Sequence, residues 1–111
     1  MSELLQKQFR FTEMTGKLIA WAYANGYTLT YGEALRTPEQ AKLNAAKGSG
    51  VSNSLHLSKL AVDLNLFKNR KFLNRTEDHT PLGEYWESLG GTWGGRFNDG
   101  NHYSLEHNGV K

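Results

Sequence analysis

A chain of 111 residues with formal net charge +2, 38% hydrophobic and 22% charged, has the length of one domain, residues 1–111, and a composition that excludes a disordered or fibrous chain. The small basic excess is spread along the sequence, and no clustered Lys/Arg stripe points to nucleic acid. There is no cysteine, which excludes a disulfide framework and a thiolate zinc cage and leaves His, Asp and Glu as the side chains able to hold a metal.

From Ser2 to Asn25, Phe11, Met14, Leu18, Ile19 and Ala22 recur at three- and four-residue steps, which predicts a helix stopped by Gly26. Glu3, Lys7, Arg10, Glu13 and Lys17 break any signal-peptide core there, and no run approaches the roughly eighteen apolar residues of a membrane span. The expectation is a monomer made in the cytoplasm, off the membrane, that would need another protein to reach a target outside. Tyr27 to Leu35, rich in Thr, Tyr and Leu, reads as a strand. Thr37-Pro38-Glu39-Gln40 offers an N-cap, a first-turn proline and a capping-box Gln for a short helix to about Ala46. Lys47 to Asn53 lacks periodicity and reads as a mobile loop.

Leu60 to Phe67 alternates: Leu60, Val62, Leu64 and Leu66 share one face, and Ala61, Asp63 and Asn65 the other, the period of a half-buried strand. Lys68 to Asp78 is charged and reads as a surface excursion, with His79 solvent-exposed at its end. Thr80-Pro81 opens a helix through Glu84, Tyr85, Trp86 and Leu89, closed by Gly90-Gly91, with Trp86 in the core. After the glycine-rich Trp93 to Gly100, His102, Ser104 and Glu106 alternate with Tyr103 and Leu105 in a further strand. These elements add up to a small α+β domain, an antiparallel sheet with helices packed on one side and a cleft on the other.

Asp63 and His102 thus fall on the polar faces of two strands, and His56 lies seven residues before Asp63 at the loop edge. Two histidines and one carboxylate suit zinc with its fourth position left to water. Asp99, three residues before His102, would then stand nearby as a general base. Plainer readings remain open: Asp99-Gly100 is a good turn dipeptide, His56 and His102 could be ordinary core or surface histidines, and Arg36 could pair with Glu33 or Glu39. His107, beside Asn108 and Gly109, joins no ligand set.

Ser54-Leu55-His56 followed by Leu60-Ala61-Val62-Asp63 resembles the S-x-H-x-x-G-x-A-x-D signature of the LAS zinc peptidases, which include D-alanyl-D-alanine peptidases and hedgehog domains. Trp93-Gly94-Gly95-Arg96-Phe97, with Asp99 and His102-Tyr103, resembles the ending of their L-alanyl-D-glutamate branch, found in phage endolysins. Arg36-Thr37 with Gln40 is similar to the family's Arg-[Ser/Thr]…Gln step, one residue shorter, and Lys59 stands where the signature has glycine. The resemblance implies a hedgehog/D-Ala-D-Ala peptidase-like fold, zinc held by His56, Asp63 and His102, Asp99 as catalytic base, and Arg36, Gln40 and Ser54 facing the substrate. It further implies cleavage of peptidoglycan stem peptides, at the L-alanyl-D-glutamate bond in the manner of an endolysin. The alternatives are a D-alanyl-D-alanine carboxypeptidase and a catalytically inactive cell-wall or protein-binding domain.

Overall fold

The computed structural model of the chain describes residues 2–32, 58–107 and 109–110. Helix α1 (Glu3–Ala24) opens where the Ser2 side chain accepts a hydrogen bond from Leu5 N–H, and it buries Phe11, Met14, Leu18 and Ala22. Those four residues lie at the spacing of one helical face. Gly26, at φ +88°, turns the chain out of the helix and into β1 (Tyr27–Tyr31).

Strand β2 (Ala61–Lys68) is the centre of the sheet. β1 runs antiparallel along one edge, from Tyr27 opposite Lys68 to Tyr31 opposite Leu64. The other edge is shared: β5 (His102–Ser104) pairs with Ala61–Asp63, and β3 (Lys71–Leu73) with Leu66–Lys68. A two-residue strand β4 (Thr92–Trp93) completes the sheet beyond β5. All of these pairings are antiparallel.

The charged segment after β2 is not a simple surface excursion. Asn69 and Arg70, at φ 52° and 64°, form the tight turn whose twist suits a two-residue hairpin, and Lys71–Leu73 folds back as β3. A 3₁₀ turn at Thr76–His79 then feeds helix α2 (Thr80–Ser88), which has its proline in the first turn as expected. His79 itself is 3% exposed, a correction to its expected place in solvent. Charge composition marked the segment as polar but could not register that the hairpin carries its end back over the core.

Val62, Leu64 and Leu66 of β2 join Leu60, Tyr103, the α1 face, Leu82 and Trp86 in one hydrophobic core. Trp86 packs edge-on against Phe11 and Tyr103, and its Nε1 donates to Ser104 O at 3.0 Å. This satisfies the indole's one polar atom inside the core. The opposite face of β2 is less open than strict alternation suggests, because Ala61 and its β5 partner Ser104 are both fully buried. The last strand also stops at Ser104, so Glu106 lies beyond it.

Candidate functional site

Register brings the first two candidate residues together. Asp63 and His102 are direct partners across β2 and β5, so both side chains leave the same face of the sheet. Asp63 Oδ1 lies 3.4 Å from His102 Nδ1, with only 21% and 10% of the respective side chains exposed. The backbone around them is held on both sides: Gly32 N–H donates to Asp63 O at 2.8 Å and Leu64 N–H to Asn101 O at 2.9 Å.

That spacing bears on a metal. Zinc bonds to nitrogen and oxygen of about 2.0–2.2 Å, opened to a tetrahedral angle, put two ligand atoms about 3.3–3.5 Å apart. The observed 3.4 Å fits one edge of such a tetrahedron, and a nitrogen with a carboxylate oxygen is a zinc donor pair. Among the described residues no group of three metal-ligating side chains forms. His56, the third member of the expected set, lies outside the described residues, as do Arg36, Gln40, Ser54 and the loop expected at Lys47 to Asn53.

Asp99 sits in a turn that backbone hydrogen bonds close at both ends. Its N–H donates to Gly94 O at 2.8 Å, and its carbonyl accepts from His102 N–H at 3.1 Å. The turn expected from Asp99-Gly100 is therefore present, and it is also the device that ties Asp99 to His102. Before it, Gly94–Phe97 makes one 3₁₀ turn ended by Asn98 at φ 62°. A Cβ on Gly94 would stand 2.1 Å from Asp99 O and 2.8 Å from His102 Cβ. Only glycine lets the two segments close on one another here.

Trp93 is 3% exposed and belongs to the core. Its Nε1 donates to Gly100 O at 2.8 Å, pinning the same turn from below. Arg96 makes a bidentate pair with Glu87 at 2.7 and 3.0 Å and lies over the Trp93 ring. The Arg96 hydrogen bond holds the Glu87 carboxyl below its usual range. Phe97, 49% exposed, brings its ring centroid to 6.1 Å from that of His102 and gives the site an apolar wall.

The sequence reading missed His79 and Tyr103. His79 Nδ1 lies 2.7 Å from Tyr103 Oη beneath the site. Burial lowers the His79 pKa to about 4, against an opposing push from Asp78, and burial raises that of Tyr103. The available signal was the alternation of β5, which puts Tyr103 on the Val62 face, hence in the core. His79 had no comparable signal in its charged neighbours. His107 lies apart, with Nδ1 3.3 Å from Lys7 Nζ.

Lys59 adopts φ 59°, in the left-handed region that glycine enters freely and other residues enter at a cost. A position written as glycine in the signature is thus a left-handed position in the chain, occupied here by lysine.

The model of the D-alanyl-D-alanine carboxypeptidase family matches residues 47–105, more than half of the chain. Among solved structures, the L-Ala D-Glu endopeptidase ChiX of Serratia marcescens has the same fold, with a TM-score of 0.69 at 20% identity, over 86% of this chain and 79% of that one. No curated protein matches the chain significantly.

Proposed function

The chain belongs to the D-alanyl-D-alanine carboxypeptidase family of peptidases, and from that premise we propose that it is a zinc-dependent peptidase that cuts peptidoglycan stem peptides at the bond between L-alanine and D-glutamate. The observation that carries this reading is the Asp63–His102 pair, 3.4 Å apart on one sheet face, with Asp99 joined to His102 by a backbone hydrogen bond.

Asp63 and His102 would hold the metal, with His56 as third protein ligand. Bound zinc would supply a Lewis acid that acidifies water and polarises the scissile carbonyl. Asp99, exposed to solvent, takes the proton of the attacking water and returns it to the leaving amine. The turn that ties its backbone to Gly94 and His102 restricts where its carboxylate can stand. Arg36, always cationic, stabilises the oxyanion or grips a substrate carboxylate, while Gln40 and Ser54 contact the peptide. The choice of the L-alanyl-D-glutamate bond is supported by the Trp93-Gly94-Gly95-Arg96-Phe97 segment. The endolysin role follows from the same resemblance, as does synthesis in the host cytoplasm with release to the wall by a separate protein.

A second reading, D-alanyl-D-alanine carboxypeptidase, is favoured by the family description itself. Digestion of purified peptidoglycan followed by mass analysis separates the two. Cleavage at L-alanine–D-glutamate exposes a new D-glutamate amine, whereas the carboxypeptidase releases free D-alanine. Hydrolysis that vanishes with a chelator and returns with zinc is expected. A protein that binds zinc yet leaves stem peptides intact would support the inactive binding domain instead.

A further inference from the structure

β5 and β3 occupy the same edge of β2 at its two ends, and in the interval a cavity of about 240 Å³ opens. Its walls come from three places: Asn65 on β2, Phe72 on β3 with Asn74 and Arg75 just after it, and Asn98 and Asn101 of the turn that carries Asp99. The walls are braced against each other. Gly100 N–H donates to Thr76 Oγ1 at 3.3 Å, and a Cβ on Gly100 would meet Thr76 Cα at 2.6 Å.

We propose that this cavity is a glycan subsite that takes one N-acetylated amino-sugar ring of the strand to which the stem peptide is joined. The inference rests on the peptidoglycan-peptidase reading and deepens it. Four carboxamides line the space, and each both donates and accepts hydrogen bonds. Sugar hydroxyls and N-acetyl groups do the same, whereas a carboxylate only accepts and would leave the amide donors of four carboxamides to compete for it. Phe72, 52% exposed and backed by Phe67 at 5.3 Å, offers an apolar face to the C–H side of a ring. The volume falls below the roughly 300–1,000 Å³ of sites for drug-sized ligands, so it suits one ring rather than a chain.

Position agrees with this occupant. Asn65 follows Asp63 by two residues on β2, a separation of about 7 Å at strand rise, and Asp99 lines the cavity while its carbonyl bonds to His102 N–H. A sugar held here lies about one residue from the reacting bond. That is where the glycan stands when the peptide is cut after its first residue, L-alanine, and not when it is cut at its far end.

The test uses the zinc-loaded protein with two substrates, a free stem peptide and the same peptide on its disaccharide. Asn74→Ala and Phe72→Ala change exposed side chains and should each lower kcat/KM for the disaccharide-linked peptide, relative to the free peptide, by about fivefold or more. Independently, the peptide-free disaccharide should shift the NMR amide signals of Asn65 and residues 98–101. Equal effects of both variants on the two substrates, or no shift at those amides, overturns the glycan subsite. If the wild-type protein cuts neither substrate, the peptidase reading fails, and the disaccharide titration still decides the subsite by itself.

Discussion

Acidification should remove about 3 kcal/mol of stability through His79 alone. The residue is 3% exposed, its Nδ1 is hydrogen-bonded to Tyr103 Oη, and burial holds its pKa at about 4 against 6.5 for a free imidazole. The fold accepts the neutral ring. Because the folded value is the lower one, the unfolded chain takes up the proton first as pH falls. The contribution is therefore fully present above about pH 6.5 and is lost on the way down to about pH 4. At 1.36 kcal/mol per pH unit, that interval amounts to about 3 kcal/mol. Urea unfolding of wild type and His79→Gln at several pH values between 7.5 and 4 measures it. Glutamine keeps a hydrogen-bonding group near Tyr103 but does not titrate, and every other titrating group is common to both proteins. The stability difference between them should shift by about 3 kcal/mol against the wild type as pH falls. Parallel stability curves would refute the reasoning.

Further outcomes follow from the site and its frame. Asp99→Asn should keep zinc and lower peptidoglycan hydrolysis by about a hundredfold to ten-thousandfold, whereas Asp63→Asn should lose metal together with activity; zinc content and hydrolysis measured side by side decide, and zinc loss in the Asp99 variant would contradict its role as base. Gly94→Ala should lower thermal stability by about 1–3 kcal/mol and hydrolysis by about a hundredfold through displacement of Asp99 and His102; near-native values in calorimetry and hydrolysis would count against the close packing described. Lys59→Gly should raise stability by about 0.5–1 kcal/mol by relieving a left-handed lysine, read as an increase in melting temperature; an unchanged or lower value would mean the strain is absent.

The sequence by itself determined the elements whose pattern is local. The α1 stripe from Phe11 to Ala22, the Thr80-Pro81 start of α2 and the alternation of Leu60 to Leu66 are each written at helical or strand period, because burying one face of an element requires it. The places of Asp63 and His102 on strands and of Asp99 in a turn were legible for the same reason, through strand parity and a turn dipeptide, and a composite motif that no single piece would have carried made them candidates for one site. What tertiary structure alone decided is long-range: the register that sets Asp63 opposite His102, the shared edge of β2 that leaves a cavity beside them, and the burial of His79 against Tyr103. Strand pairing is chosen by the fit of the whole core. Neighbouring residues cannot encode it, so a histidine among charges reads as exposed until the hairpin before it is folded back.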